Sequence, residues 1–155
     1  MDVLRIGKMC FKGRNSMFTI DYVTQNDKEF WFLLDRHMSE NEFLLKIRDK
    51  RGYVIRDGEK PIGVLRYNLF WDNTPFLNLI HFDEDYRGKG FGKKAMLHWE
   101  NEMRMLGYKA VMTSTQVNED SQHFYRKLGY KDVGCLVLDI PGYEQPLEMF
   151  MIKAL

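Results

Sequence analysis

The sequence predicts an α/β protein in which a mixed β-sheet is covered by helices, and three observations lead to that prediction. Its 155 residues suit one compact domain. Short alternating or mostly apolar segments, typical of strands, are interspersed with segments of helical periodicity. The resulting order, β-α-α-β-β-β-α-β-α-β-β, contains at least one β-α-β crossover, which places two strands parallel to each other.

The first half of the chain is predicted from alternation and capping signals. Ser39, followed three residues later by Glu42, is a capping-box signal for the start of a helix. Asp57-Gly58 lies between two apolar segments and favours a hairpin turn. The predicted elements are a strand at 18–23, helices at 26–37 and 39–48, and strands at 53–56, 61–68 and 76–82.

The second half contains the clearest helix. Its apolar residues recur at spacings of three and four and form one stripe: Phe91, Ala95, Trp99, Met103 and Leu106. Gly107 stands where a helix C′ glycine belongs, and Gly129 ends a second, shorter helix. The predicted elements are a helix at 91–106, a strand at 110–115, a helix at 119–128, and strands at 133–138 and 147–153.

Composition excludes several classes of protein. Hydrophobic residues make up 45% of the chain and charged residues 29%, which excludes intrinsic disorder. The formal net charge of +1 gives no global attraction to nucleic acid or to an anionic membrane. Cys10 and Cys135 lack the spacing of a metal site and are expected to be reduced thiols. No apolar run approaches the roughly 20 residues of a membrane span or resembles a signal peptide, so we expect a cytoplasmic protein.

The predicted domain covers residues 17–155. Residues 1–16 precede its first strand. The segment carries several cations and one acid, Asp2. We expect it to form an added element, a hairpin turning at Gly7-Lys8, because glycine first in a two-residue loop suits a type II′ turn. The alternatives are a loose arm or an upstream start.

A glycine-rich segment at residues 87–94 lies between a predicted strand and a helix N-terminus. It holds three glycines and four cations, so its backbone N–H groups can converge on an anion. Lys93 and Lys94 oppose the helix dipole in the first turn, a conflict that a bound phosphate would relieve. The segment matches neither the P-loop nor the Rossmann fingerprint. The alternative is a glycine turn with solvated lysines.

The sequence resembles the GNAT acetyltransferase family at this segment. Arg87-Gly88-Lys89-Gly90-Phe91-Gly92 fits the acyl-CoA signature of that family, which is Arg or Gln, two residues, Gly, one residue, then Gly or Ala. A second landmark of the family also occurs here, a strand followed by Asn118 and, seven residues later, Tyr125 on a helix. The resemblance runs from about Met17 to Leu155.

The resemblance implies a GNAT fold, with a central mixed sheet of 6–7 strands flanked by about four helices. The sheet would splay between the parallel strands at 76–82 and 110–115, and the backbone near 80–82 would pair with the pantetheine arm of acetyl-CoA. Asn118 would contact pantetheine or fix the splay; it is also a candidate N-cap for the next helix. The acetyl-CoA-binding residues would be Ile80, His81, Phe82, Arg87, Gly88, Lys89, Gly90, Phe91, Gly92, Lys93, Asn118 and Tyr125.

Tyr125 is the residue to which the resemblance assigns chemistry. In the family the matching tyrosine protonates the thiolate that leaves as an amine attacks. A phenol with an ordinary pKa of about 10 can donate to such a thiolate without being ionised at pH 7. Seven residues are two helical turns, so we expect Asn118 and Tyr125 to face one direction. The alternative is a core tyrosine packed with Phe124 and Leu128.

The sequence gives only a weak indication of the general base that would deprotonate the acceptor amine. Where some members of the family carry Glu or His in the central strands, this chain has Asn78 and Thr113, and neither is a useful base. The candidates near the end of the strand are His81, Asp83 and Glu84. We prefer deprotonation of the acceptor amine through water.

The predicted function is therefore an acyl-CoA-dependent N-acetyltransferase for a small amine or a peptide, with acetyl-CoA as co-substrate and no metal. Acceptor specificity would come from the first two helices and the loop 139–146. The apolar side chains that would line the acceptor region, or else pack in the core, are Trp31, Phe32, Trp71 and Tyr143.

Two other functions and the oligomeric state complete the set of expectations. One alternative is a non-catalytic CoA-binding or regulatory module, against which the presence of Tyr125 argues. The other is a nucleic-acid binder, which the sequence disfavours because it lacks interleaved aromatics and a second basic patch. Many members of the family are dimers, so a homodimer is compatible with the resemblance.

Overall fold

A computed structural model describes residues 11–13 and 16–155 of the chain, with side chains from Met17 onwards. It confirms a mixed α/β fold, with four α-helices in the part of the chain it describes. The hairpin turn predicted at Gly7-Lys8 lies outside the described residues, as does Cys10. Cys135 is an exposed free thiol.

The described elements follow the predicted order, with one additional strand. The helices are α1 (Lys28–Leu34), α2 (Glu40–Asp49), α3 (Phe91–Met105) and α4 (Ser121–Lys127). The strands are β1 (Phe11–Gly13), β2 (Ser16–Tyr22), β3 (Gly52–Asp57), β4 (Lys60–Phe70), β5 (Thr74–Phe82), β6 (Ala110–Gln116), β7 (Lys131–Leu136) and β8 (Glu148–Ala154). The strand outside the prediction of 6–7 is β1, which lies in the segment that was set apart as an N-terminal extension.

The strand order is β1-β2-β3-β4-β5-β6-β8-β7. β5 and β6 form the predicted parallel pair, with Phe76 opposite Met112 and Leu77 opposite Thr113. The pairs β1–β2, β2–β3, β6–β8 and β7–β8 are antiparallel. The chain divides into two compact units, one formed by residues up to 65 together with 80–89, and the other by residues 66–79 together with 90–155.

The first unit confirms the predicted helix start at Ser39. The Ser39 hydroxyl accepts a hydrogen bond from the backbone N–H of Glu42 at 3.2 Å, as an N-cap does. Asp27 is nearly buried, and its carboxylate accepts hydrogen bonds from the backbone N–H and the hydroxyl of Thr24 and from the guanidinium of Arg56. The core side chains of this unit include Val23, Trp31, Phe43, Tyr53, Val54, Ile55, Ile62 and Val64.

Glycine at position 63 allows the ring of Phe82 to lie close to the backbone of β4 within the first unit. A Cβ atom built on Gly63 would lie 2.6 Å from Cδ1 of Phe82, so a side chain there would displace the buried ring. The backbone N–H of Asp83 donates to the carbonyl of Ile62 at 2.9 Å. The C-terminal end of β5 is therefore held against β4 by both packing and hydrogen bonding.

The second unit is organised on α3. Phe91, Ala95, Trp99 and Met103 are buried as the stripe predicts. The prediction is wrong at Leu106, which is 60% exposed, because the helix ends at Met105 and Leu106 serves as its C-cap. Gly107 follows in the left-handed conformation with φ 93°, as predicted for the C′ position.

A buried carboxylate connects α3, β8 and the residue before β7 in the second unit. Glu100 lies in α3 and is 2% exposed. Its Oε1 accepts a hydrogen bond from the Tyr130 hydroxyl at 3.0 Å, and its Oε2 lies 2.6 Å from Nζ of Lys153 on β8. Burial and the neighbouring Glu100 carboxylate both raise the pKa of Tyr130, so this phenol remains a donor. Both carboxylate oxygens therefore have a partner.

In the part of the chain that the structure describes, none of the helices combines the length and the apolar character needed to cross a membrane.

The Glu100 network generates a stability prediction. Lys153→Met removes the cation and leaves the buried carboxylate with a neutral partner only, so we expect a loss of about 3 kcal/mol in the free energy of unfolding, measured by urea denaturation. Lys28→Met is the control, because Lys28 pairs with Glu40 at the surface and such pairs contribute about 0.5 kcal/mol. Equal effects of the two substitutions would contradict the assignment of the Glu100 network as a buried ion pair.

Candidate functional site

The glycine-rich segment forms a tight loop between β5 and α3. A short 3-10 helix at Glu84–Tyr86 precedes it, with the carboxylate of Asp83 accepting a hydrogen bond from the Asp85 backbone N–H at 3.2 Å. Gly88 and Gly90 both adopt the left-handed conformation, with φ of 69° and 85°. Gly90 is the N-cap of α3, so the loop leads directly into the helix N-terminus.

The two left-handed glycines leave the loop backbone uncovered. A Cβ atom built on Gly88 or Gly90 would meet no heavy atom within 4 Å. The glycines are thus needed for backbone conformation, and the space beside them is open to a ligand. Lys93 and Lys94 are exposed, and the first turn of α3 has no acidic residue. The backbone N–H groups at the start of a helix and these cations suit an anion such as a phosphate.

The side chain of Arg87 contacts the end of β5. Its Nε donates to the carbonyl of Phe82 at 3.0 Å, and its NH2 group lies 3.1 Å from Nε2 of His81. Its NH1 group is 3.9 Å from a carboxylate oxygen of Glu84. The guanidinium therefore ties the loop to β5, which the sequence motif alone does not show.

His81 is half-buried and is held as a neutral imidazole. Burial lowers its pKa from the ordinary value, and the positive charge of Arg87 lowers it further, whereas the carboxylates of Asp35 and Glu84 act in the opposite direction. Because Arg87 can only donate, Nε2 of His81 must be the acceptor of their hydrogen bond. Its neighbours in the predicted pantetheine-binding segment are Ile80, half-buried, and Phe82, buried against Gly63.

Tyr125 lies in α4 and is 6% exposed. Its ring contacts those of Phe124 and Tyr130 edge-on, with centroids 5.3 and 5.6 Å away. Burial raises the pKa of Tyr125 to about 12, and the nearby carboxylate of Glu119 adds to the shift, whereas the side chain of Thr113 on β6 opposes it. The phenol therefore carries its proton at neutral pH.

The structure excludes the alternative in which Asn118 is the N-cap of the next helix. The N-cap of α4 is Asp120, and the helix begins at Ser121, so Asn118 lies exposed in the preceding turn. The argument that Asn118 and Tyr125 share a helix face fails for the same reason. What the structure places at this turn is a polar cluster formed by Thr115, Glu119 and Ser121. The Thr115 hydroxyl lies 2.9 Å from Oε2 of Glu119 and 2.5 Å from Oγ of Ser121.

The sequence interpretation considered Thr113 only as a base and did not consider Thr115 at all. Both are nearly fully buried on β6. Two threonines separated by one residue in an apolar strand project to the same face, and this pattern was a readable signal that their hydroxyls need partners.

The aromatic residues considered for the acceptor region have different environments. Trp31 is fully buried and packs against Phe43 at 5.6 Å between centroids, so it belongs to the core of the first unit. Phe32 also packs against Phe43, at 5.4 Å. Trp71 and Tyr143 are largely exposed. Trp71 adopts a left-handed conformation in the turn between β4 and β5.

Comparison with solved structures defines the class of fold. Ard1 from Thermoplasma volcanium matches with a TM-score of 0.77 and 16% identity, over 89% of this chain and 97% of that chain. Arabidopsis thaliana Naa50, in complex with the bisubstrate analogue CoA-Ac-MVNAL, matches with a TM-score of 0.74 and 13% identity, over 89% and 99%. The ribosomal-protein-S18-alanine N-acetyltransferase from Escherichia coli matches with a TM-score of 0.73 and 18% identity, over 89% and 94%.

At these identities the likeness shows the fold, which is that of acetyltransferases. The sequence profile described as the Acetyltransferase (GNAT) family matches residues 15–130, which is most of the chain. The protein therefore belongs to the GNAT acetyltransferase family, as the resemblance indicated. A search of curated protein sequences found no match.

The environment of His81 generates a prediction for its titration. Arg87→Met removes the adjacent positive charge, so we expect the pKa of His81 to rise toward its ordinary value, measured by NMR of the imidazole ring. Glu84→Gln is the matched control and should shift the pKa of His81 in the opposite direction, because the carboxylate of Glu84 favours the imidazolium. A shift of the same sign in both variants would contradict the electrostatic explanation.

Proposed function

We propose that this protein is an acyl-CoA-dependent N-acetyltransferase, which transfers the acetyl group of acetyl-CoA to a primary amine of a small molecule or a peptide. Membership of the GNAT family gives the class of reaction. The observation that carries the assignment for this chain is Tyr125, a buried phenol that keeps its proton at neutral pH.

The glycine loop is proposed to hold the pyrophosphate of acetyl-CoA. The backbone N–H groups between Gly88 and Gly92 and the N-terminus of α3 provide donors, and exposed Lys89 and Lys93 add attraction that solvent screens. The backbone of residues 80–82 is proposed to pair with the pantetheine arm, and Asn118, exposed in its turn, to contact the same arm.

The proposed reaction is a direct attack in a ternary complex. The lone pair of the acceptor amine forms a bond to the acetyl carbon, and the carbon–sulfur bond breaks with its electrons leaving on sulfur. Tyr125 gives its hydroxyl proton to that sulfur, so CoA departs as a thiol. The amide nitrogen loses one proton, and the Tyr125 phenolate then takes up a proton to restore the enzyme.

The high pKa of Tyr125 makes it a weaker acid than an ordinary phenol, so its proton passes to sulfur only as negative charge develops there. The phenol is fully protonated at working pH, so every enzyme molecule carries the acid. It releases its proton only when the thiolate develops, so its effect falls on the transition state and not on the binding of acetyl-CoA.

Water is the proposed first acceptor of the amine proton. The three candidate side chains are each engaged elsewhere in the described structure. His81 uses Nε2 to accept from Arg87 and has a lowered pKa. Asp83 accepts a backbone N–H, and Glu84 is exposed beside Arg87.

The proposed role of the loop backbone is tested by Gly90→Val. A branched side chain would occupy the space where pyrophosphate must approach and would strain a residue whose φ is 85°. We expect CoA binding to weaken at least tenfold, about 1.4 kcal/mol, in titration calorimetry. Gly107→Val is the matched control, since Gly107 also has a positive φ and open space around it but lies at the other end of α3. It should lower the melting temperature and leave CoA affinity unchanged.

A third variant, Lys89→Ala, tests how much a cation of the loop contributes to CoA binding. An exposed cation contributes mainly screened attraction, so its removal should weaken CoA binding less than Gly90→Val does. The opposite order of the two effects would refute binding through the backbone.

The proposed acid role is tested by Tyr125→Phe, which removes one oxygen and keeps the ring contacts. We expect kcat to fall about 10²-fold or more, with KM for acetyl-CoA nearly unchanged, in a free-thiol assay over a panel of primary amines. Single-turnover measurements should accompany the assay, because slow product release in the wild-type protein would conceal a loss in the rate of the chemical step.

The other outcomes identify other roles for Tyr125. A core tyrosine would give a change of about 1 kcal/mol in stability with normal turnover, and a ligand-binding hydroxyl would raise KM instead. More than half of the wild-type kcat in the variant would refute the acid role. CoA binding without thiol release from any amine, in the wild-type protein, would favour the non-catalytic CoA-binding module.

A further inference from the structure

We propose that Tyr130 is a positioning residue, which holds Tyr125 in place for the transfer of its proton to sulfur. The inference rests on the proposed function, because it concerns the step in which Tyr125 acts as an acid. Tyr130 contacts Tyr125 at the end of α4 and is itself held by Glu100 of α3. The residues that carry the inference all belong to the second unit.

Tyr125 lies close to the end of a short helix. α4 has seven residues, Ser121–Lys127, and Tyr125 is the third from its C-terminus. Helices shorter than about 12 residues have little stability of their own, and the ends of helices fray. The position of the phenol therefore depends on contacts that the end of α4 makes with the rest of the second unit.

A Schellman motif at the end of α4 joins Tyr130 directly to Tyr125. Gly129 follows the C-cap residue in the left-handed conformation, with φ of 96°. Its backbone N–H donates to the carbonyl of Arg126 at 3.0 Å, and the backbone N–H of Tyr130 donates to the carbonyl of Tyr125 at 3.1 Å. These are the two hydrogen bonds that define the motif. The rings of the two tyrosines also pack edge-on, with centroids 5.6 Å apart, so both backbone and side chain join these residues.

Tyr130 is in turn fixed to α3 and β8. It is 2% exposed, and its hydroxyl donates to Oε1 of Glu100 at 3.0 Å. Nζ of Lys153 lies 2.6 Å from the other carboxylate oxygen of Glu100. The same ammonium group is 5.8 Å from the centroid of the Tyr130 ring, within the range of a cation–π contact. Tyr130 therefore connects the last turn of α4 to α3 and β8.

The end of α3 provides an internal comparison. The sequence Leu-Gly-Tyr-Lys follows both helices, at 106–109 after α3 and at 128–131 after α4. The backbone N–H groups of Gly107 and Tyr108 make the same two hydrogen bonds, at 3.0 and 3.1 Å, to carbonyls in the last turn of α3. Both helices therefore end in a Schellman motif with a tyrosine as its last residue.

The two tyrosines differ in what surrounds them and in what they hold. Tyr108 is half-buried, whereas Tyr130 is buried and hydrogen-bonded to Glu100. The residue to which the Tyr108 backbone donates is Met103, which stands in α3 where Tyr125 stands in α4. A change at the end of α3 therefore tests the motif alone, and the same change at the end of α4 also tests the position of the proposed acid.

Position matters because an acid must lie within hydrogen-bond reach of the atom that it protonates. A displacement of about 1 Å can lower the rate of an enzyme about 10²-fold. The proposed acetyl-CoA contacts do not include Tyr130. Loosening the end of α4 should therefore lower kcat and leave KM for acetyl-CoA unchanged.

The first experiment compares Gly129→Ala with Gly107→Ala. Each substitution adds a Cβ atom to a glycine with a positive φ, so each strains one Schellman motif and should lower the melting temperature. Neither Cβ would lie closer than 3.6 Å to another heavy atom, so the two variants are matched. We expect Gly129→Ala to lower kcat about tenfold with KM for acetyl-CoA unchanged, and Gly107→Ala to change neither parameter.

The second experiment, Tyr130→Phe, removes the hydroxyl that Glu100 holds and keeps the ring that contacts Tyr125. We expect kcat to fall about fivefold with KM for acetyl-CoA unchanged, whereas Tyr108→Phe, the matched control, should keep the wild-type kcat. In the Tyr125→Phe background, Tyr130→Phe and Gly129→Ala should have no further effect on kcat, because the acid that they position is absent.

Contrary results separate the positioning role from the proposed function. If Tyr125→Phe lowers kcat but Gly129→Ala does not, or if Gly129→Ala lowers it equally in both backgrounds, the positioning role is refuted and the proposed function stands. An equal loss of kcat in Gly129→Ala and Gly107→Ala also refutes it, because the loss then follows stability. If Tyr125→Phe keeps its kcat, the acid role is refuted and the Tyr130 proposal with it. The glycine comparison decides alone should Tyr130→Phe fail to fold.

Discussion

The carboxylate of Glu100 lies inside α3 with almost no exposure to solvent, and it accepts one hydrogen bond from Tyr130 and one from Lys153. Removing one partner from a buried carboxylate costs several kcal/mol of folding stability, so both partners are needed. They come from β8 and from the residue before β7, and they hold these parts of the second unit to α3. The ring of Tyr130 packs edge-on against Tyr125. By holding Tyr130, the Glu100 carboxylate therefore also helps to fix the position of Tyr125.

Strand β6 connects that framework to the proposed chemistry. Its two inward-facing threonines make different hydrogen bonds, Thr113 to the carbonyl of Leu77 on β5, and Thr115 to Glu119 and Ser121. The Thr113 hydroxyl therefore ties β6 to β5, whereas the Thr115 hydroxyl organises the turn before α4. A strand that pairs with β5 on one side and β8 on the other is a rigid support for such groups.

In the first unit, the side chain of Arg87 has several structural roles. One guanidinium holds the carbonyl at the end of β5, contacts His81 and carries a charge that lowers the pKa of that imidazole. The arginine of the family signature thus stabilises the loop on which the left-handed glycines depend. It also makes His81 a weaker base, which agrees with the proposal that water accepts the amine proton.

The sequence by itself determined the order of the elements, the helix start at Ser39, the glycine loop and the family, because each is encoded within a few consecutive residues. It also indicated Tyr125 as the proposed acid, through a motif of fixed spacing. It extended α3 by one residue, to Leu106, and began the helix of Tyr125 two residues early, at 119, because the ends of a helix depend on how they are capped.

Only the tertiary structure decided the partners of the buried polar groups. Thr113 meets Leu77 across 36 residues, and Glu100 meets Lys153 across 53. Contacts of this kind leave no periodic signal in the chain, because they are selected by the packing of strands and helices that are distant in sequence. The network of Glu100, Tyr130 and Lys153 beside Tyr125 became identifiable only once α3 and β8 were seen together.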